Sequence, residues 1–190
     1  MRDPARVRLL VAYGTRGGST REVGHRIARV LRARHIQVDV QAAADIQTVC
    51  GYSGVIIGSG IYNGSWTPEA IAFVRQHRFV LAHGAVWLFS MAAFGDSHPL
   101  IGRLVRREPR EIDELTETLR PRSYRVFAGV IDPRGWSRAG RVLLHGFGGR
   151  AGDNRNWTEI TAWAESIATE LMPVASADAR CARLGAKSAA

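Results

Sequence analysis

The residues best equipped for chemistry lie near the start of the chain, in Tyr13-Gly14-Thr15-Arg16-Gly17-Gly18-Ser19-Thr20-Arg21-Glu22. Glycines let a backbone curl until successive N–H groups point at one anion. A helix that starts here adds N–H groups with no intrahelical acceptor and a partial positive charge. Thr15, Ser19 and Thr20 bring hydroxyl donors to the backbone of Arg16, Gly17 and Gly18. Such a cradle holds a phosphate without any lysine. The Gly-Lys-Ser/Thr ending of a Walker A loop is absent, and so is a Gly-x-Gly-x-x-Gly dinucleotide loop. A single terminal phosphate therefore suits it better than a dinucleotide. A glycine-rich turn before a capped helix is the plainer reading of the same residues.

Two further stretches could receive a flat ring. The first is Gly58-Ser59-Gly60-Ile61-Tyr62-Asn63-Gly64-Ser65-Trp66-Thr67-Pro68-Glu69, and the second is Phe89-Ser90-Met91-Ala92-Ala93-Phe94-Gly95-Asp96. Tyr62, Trp66 and Phe94 offer aromatic faces, which stack at about 0.5–1.5 kcal/mol beyond their burial. The backbone around Gly60 and Gly95 offers hydrogen bonds to a polar ring edge. Each aromatic taken singly is more often a partly buried packing residue, and their presence in two loops that should converge on one crevice shifts the balance toward a ring site. No general base stands out: Asp96, His98 and Tyr62 lie in or near the expected crevice, but such residues more often stabilise a loop than act as an acid or base, so no catalytic residue is assigned. The histidines show no HxxxH or HExxH spacing, and Cys50 and Cys181 form no CxxC pair. The expectation is no metal site and two reduced thiols.

The elements that must position these loops follow from periodicity. Val7 to Tyr13 is a strand apolar on both faces, as in a buried parallel sheet. Val23, Ile27, Val30 and Leu31 form one face of the helix after it, and Ser19 with Glu22 has capping-box spacing. Ile36–Val40 and Val55–Ile57 are the next strands. Thr67-Pro68 opens a second helix with Thr67 as N-cap. Ala85–Phe89 is a fourth strand, Arg110–Leu119 a helix, and Tyr124–Ile131 a fifth strand. A last helix over 157–171 carries the stripe Ile160, Trp163, Ala164, Ile167, Ala168 and Leu171. Strands alternating with helices imply an α/β three-layer sandwich with a five-stranded parallel sheet in the order 2-1-3-4-5. Ligands of such sheets bind at the carboxyl ends of the strands where the order reverses, so the three loops converge.

The chain has 190 residues, a formal net charge of +9, and all but one of its 26 basic residues are arginine. That length fits one domain with a full core, expected over 1–172, with a small polar tail at 173–190. No apolar run reaches the roughly 20 residues of a membrane-spanning helix, and no signal peptide is evident. The expected location is the cytoplasm. The segment 132–153 is long for a connection and mixes Arg134, Arg138, Arg141 and Arg150 with Trp136, Val142, Leu143, Leu144 and Phe147. It reads either as a packing loop or homodimer contact, or as a basic-apolar patch that touches an anionic membrane at the inner face of the cell membrane. Leu100 to Arg107 has the same character. The aromatic-basic motifs of nucleic-acid modules are missing, so no nucleic acid is expected.

Tyr13-Gly14-Thr15-x-x-Gly18-x-Thr20 resembles the FMN-phosphate loop of flavodoxins, with Gly17 where that family usually carries a hydroxyl residue. Gly58-Ser59-x-Ile61-Tyr62-x-Gly64-x-Trp66, Phe89-Ser90 with Gly95-Asp96, and Gly152-Asp153-x-Arg155-x-Trp157-x-x-Ile160-x-x-Trp163-Ala164 look like the subgroup that includes the menaquinone-dependent protoporphyrinogen oxidases. The resemblance covers roughly residues 6–172. It implies a flavodoxin-like fold and FMN. The cofactor would be held by Thr15, Arg16, Gly17, Gly18, Ser19 and Thr20, by Ser59, Gly60, Ile61, Tyr62, Asn63, Gly64 and Trp66, and by Ser90, Met91, Ala92, Ala93, Phe94, Gly95 and Asp96. It further implies an FMN-dependent oxidoreductase with a quinone or other redox partner. An electron-carrier flavodoxin and a flavodoxin-fold binding module without cofactor are the alternatives. The carriers tend to be acidic, whereas this chain is basic.

Overall fold

The computed structural model describes residues 7–62, 64–92, 110–131 and 152–171. Asn63, Ala93, Phe94, Gly95, Asp96, His98, Leu100 to Arg107, 132–151 and the tail at 173–190 lie outside them, as does Cys181. The side chains of Arg110, Glu111, Ile112 and Ile131 do too.

Leu9, Leu10, Val11 and Ala12 are fully buried in β1 (Arg8–Gly14), so both faces of this strand are covered. β1 is an interior strand of a parallel sheet that also contains β2 (Gln37–Ala42), β3 (Gly54–Tyr62), β5 (Ala85–Ala92) and β6 (Ser123–Ala128), in the order β2-β1-β3-β5-β6 with β3 at its centre. The short β4 (Ser65–Trp66) folds back antiparallel on the end of β3. Counted as five core strands, this is the expected order 2-1-3-4-5. It reverses between β1 and β3.

Alternate residues of each strand point to opposite faces. Leu9, Val11, Ile56, Trp87, Phe89 and Phe127 meet α1 (Ser19–Ala33) and the helix α4 over 157–171. Leu10, Ala12, Val55, Ile57, Val86 and Leu88 meet α2 (Pro68–Ala82) and the Leu115–Leu119 side of α3 (Arg110–Leu119). All six residues of the α4 stripe are buried. Phe89, Phe127 and Trp163 stack with centroids 5.6 to 6.1 Å apart and lock α4 onto β5 and β6.

The structure changes four local expectations. β3 does not end at Ile57 but runs to Tyr62, because Gly58 pairs with Phe89 and leaves room for its ring. A Cβ at Gly58 would sit 2.0 Å from the Phe89 ring. The fifth strand is broken at Gly129: β7 (Val130–Ile131) leaves the sheet and pairs antiparallel with β8 (Gly152–Asp153). The capping box does not form. Gly18 is the N-cap of α1, in the left-handed region at φ 86°, and Glu22 is drawn away by Arg155. Thr67 does precede Pro68 as N-cap of α2, but its hydroxyl makes no capping bond and lies 3.3 Å from Ser59 Oγ instead. Among the described residues, no helix is long and apolar enough to cross a membrane.

Candidate functional site

At the carboxyl end of β1 the chain turns through Thr15–Gly18 into α1. The Gly18 N–H donates to Thr15 Oγ1 at 2.9 Å, which curls the loop. The first intrahelical bond runs from Glu22 N–H to Gly18 O. The N–H groups of Ser19, Thr20 and Arg21 therefore have no intrahelical acceptor, as at any helix start. Thr20 sits in this first turn, fully buried, and its hydroxyl has no hydrogen-bond partner. A buried hydroxyl left unpaired costs about 1–3 kcal/mol, so its presence calls for a ligand or another reason.

Beside this loop lies a cleft of about 760 Å³. That is the size of a small-molecule site. Arg16, Gly17, Ser19 and Glu22 line one end, Gly60, Ile61 and Tyr62 one wall, and Met91, Ala92, Gly129 and Val130 the other. Asp153 and Arg155 close it. Tyr62 is fixed from two sides: its Oη lies 3.4 Å from the Arg16 N–H that donates to it, and the Arg16 guanidinium sits 4.7 Å from its ring centre. Its ring also lies over Gly60, where a Cβ would approach it to 2.7 Å.

The expected residues thus divide. Arg16, Gly17, Ser19, Gly60, Ile61, Tyr62, Met91 and Ala92 line the cleft. Thr15 and Gly18 in the turn, and Thr20 in the first turn of α1, neighbour these in sequence but are not among the lining residues. Ser59, Trp66 and Ser90 do not face it. Ser59 Oγ donates to Gly60 O at 3.0 Å and accepts the Thr67 N–H at 3.0 Å, tying β3 to the start of α2. Trp66 is buried in the α2-side core and donates its Nε1–H to Ser90 Oγ at 2.8 Å. Ser90 also accepts from Tyr124 Oη at 2.9 Å. Trp66 reads as a ring cover in the sequence, but packing takes its indole. Gly64, at φ 79°, makes the β3–β4 turn.

Sequence reasoning assigned no site role to Glu22, Gly129, Val130, Asp153 or Arg155. The last two were visible in the Gly-Asp-x-Arg-x-Trp signature. Arg155 donates to Asp153 through Nε at 2.8 Å and Nη2 at 2.6 Å, and through Nη1 to Glu22 at 2.6 Å. Its side chain is only 8 % exposed, and it stacks 4.5 Å over the Trp157 ring. The hydrogen bonds from Arg155 hold the Asp153 carboxyl below the usual carboxylate range, and the same bonds raise the guanidinium further. One cation with two anions therefore fastens α1, β8 and the start of α4 together at the cleft.

A glycine-rich turn into a helix start, an aromatic held across from an apolar wall and the strand-order reversal all meet here. The family model of the flavodoxin domain matches residues 10–145. The chain belongs to the flavodoxin domain family. Solved structures place this flavodoxin domain beside oxidised flavodoxin 2 from Bacillus cereus, at 17 % identity and TM-score 0.56 over 86 % of this chain and 99 % of that one. A flavodoxin from the domain Archaea matches at 11 % identity and TM-score 0.55, over 87 % of this chain and 99 % of its own length. Rubredoxin oxygen:oxidoreductase from Desulfovibrio gigas matches at 12 % identity and TM-score 0.59, over 90 % of this chain. The chain spans 37 % of that protein's length. At these identities the likenesses establish the fold. No curated protein sequence matches the chain.

Proposed function

We propose that this flavodoxin domain binds FMN and exchanges electrons through it, as a redox enzyme rather than a cofactor-free module. The observation that carries this reading is the buried, unpartnered Thr20 hydroxyl in the first turn of α1, next in sequence to Ser19, which lines a cleft of about 760 Å³. The residues present fit the group. The N–H groups of Gly17, Ser19 and Thr20 and the hydroxyls of Thr15, Ser19 and Thr20 would hold the phosphate, while the Gly18 N–H stays on Thr15 Oγ1. Tyr62 would cover one face of the ring, and Met91, Ala92 and Val130 would supply apolar surface.

When bound, FMN supplies acceptance of a hydride or of single electrons. The chain's own part is binding, orientation and field. Arg16 holds Tyr62 in place from both its backbone and its side chain. Its guanidinium also brings positive charge to the cleft, which favours a more negatively charged, reduced occupant. Arg155, already shared between Asp153 and Glu22, fixes the rim and limits the negative charge that those carboxylates show to a phosphate.

The finer reading is chemistry of the protoporphyrinogen-oxidase type, with electrons passed to a quinone. It is supported by the Tyr62-x-Gly64-x-Trp66 and Gly152-Asp153-x-Arg155-x-Trp157 signatures and by the basic character of the chain. The basic-apolar segment 132–153 is its proposed contact with an anionic membrane.

A visible absorption spectrum after mixing with FMN and gel filtration tests the proposal. Flavin bands that travel with the protein are expected, after which quinones and a porphyrinogen serve as trial substrates. A colourless protein fraction would leave a flavodoxin-fold binding module.

A further inference from the structure

α1 turns a strongly basic side to solvent. Arg21, His25, Arg29 and Arg32 are all exposed. At about 100° per residue they fall within one arc of about 80°. The only acid on the helix is Glu22, and Arg155 takes it. No described carboxylate pairs with Arg21 or Arg29. Arg29 has arginines three positions away on either side, Arg26 and Arg32, and like charges at that spacing repel by about 0.2–0.5 kcal/mol per pair, which an anion meeting this face would relieve.

A groove of about 650 Å³ runs along the stripe, lined by Arg21, Glu22, His25, Arg26, Arg29 and Trp157. Glu22 lines both this groove and the cofactor cleft, so the two adjoin. Arg155 covers Trp157 at 4.5 Å, and Arg26 stands 6.0 Å from the same ring while donating to Thr161 Oγ1 at 3.2 Å. The indole is thus taken by two guanidinium groups, which disfavours a stacked nucleotide base. The exposed large apolar residues of the described chain, Phe79, Val80 and Val130, lie outside this groove. A lipid surface would find nothing apolar to insert there.

We propose that the outward face of α1, from Arg21 to Arg32 with Arg26 and the Trp157 groove, docks an acidic protein carrying a one-electron redox centre. Docking itself stands on the charge of this face, while the electron transfer after it rests on the FMN reading. Each electron that leaves the partner's centre, oxidising it by one, is gained by the bound flavin, with protons drawn from solvent. Charge complementarity selects the partner, and the shared Glu22 rim places it beside the cofactor.

The probe is an acidic [2Fe–2S] ferredoxin. Calorimetry first measures its binding to the flavin-free protein, so that loss of the FMN reading would not mask the result. Binding is expected at low salt, weakening at least about tenfold between about 20 and 200 mM salt. His25→Glu with Arg29→Glu should abolish it. Arg75→Glu with Arg78→Glu, exposed on α2 across the sheet, removes more charge and should change it less than about twofold. With FMN bound, stopped-flow reduction by the reduced ferredoxin should slow at least about tenfold in the first variant only. No binding by the wild-type chain, or equal loss in both variants, overturns the proposal. So does binding of the α1 face to phosphatidylserine vesicles with the ferredoxin ignored.

Discussion

Replacing Thr20 by valine should move protein stability and FMN affinity in opposite directions. The two side chains have nearly the same shape, and Thr20 is fully buried, so packing is preserved. Its hydroxyl has no partner, so the flavin-free protein carries the cost of desolvating it, about 1–3 kcal/mol less whatever the site relaxes. Valine removes that cost. The flavin-free variant should be more stable by about 1 kcal/mol, or about 2–4 °C in melting temperature for a chain of this size. In the FMN complex the same hydroxyl would donate to a phosphate oxygen, a charged hydrogen bond of about 1.5–3 kcal/mol. Losing it weakens FMN by roughly 10- to 150-fold. Calorimetric melting without FMN and fluorescence titration with it read the two effects separately. A merely structural threonine would give no gain in stability and no loss of affinity. A variant that melts lower and binds FMN unchanged would refute the assignment.

Arg155→Met should lower stability by about 1–3 kcal/mol in urea unfolding. That lies between exposed and buried ion pairs, because Arg155 is 8 % exposed while Glu22 and Asp153 are 55 % and 45 % exposed. It should also weaken FMN several-fold, since two carboxylates are released at the cleft. Gly58→Ala drives a Cβ to 2.0 Å from the Phe89 ring, which is packed in the core and cannot yield cheaply. A loss of about 1–3 kcal/mol or more is expected in thermal melting. Asp39 is held below its usual pKa by a hydrogen bond from Tyr52 and by those from Arg8. A depressed carboxyl stabilises the fold above its unfolded pKa, near 3.8, and that share is lost as pH falls through the lower folded value. Unfolding midpoints from pH 7 downward should therefore drop less steeply in Asp39→Asn at the acid end than in wild type.

The sheet order and the two faces of the core were legible because β1 is apolar on both sides and the 157–171 helix carries an uninterrupted stripe. The glycine-rich turn from β1 into α1 was legible because glycines and hydroxyls cluster there between a clear strand and a clear helix. Glycine misled at Gly58, where it reads as the end of a strand. The structure uses it instead to admit the Phe89 ring within a continuing strand. Trp66 misled in another way: its neighbours in sequence belong to the cleft, but its indole N–H finds Ser90 in the core. The Glu22–Arg155 pair joins residues 133 positions apart. No local pattern could reveal that distance closing, and Glu22 read more simply as a cap. The break at Gly129 went unseen for the same reason, since β7 pairs with a strand far along the chain.

The central claim, a phosphate cradle joined to a ring-binding cleft, is tested most directly by titrating the protein with FMN and with riboflavin side by side. One FMN should bind per chain, with quenched fluorescence, and riboflavin should bind at least about tenfold more weakly because it lacks the phosphate. Equal affinity for the two flavins would contradict the cradle, and no binding of either would contradict the flavin site altogether.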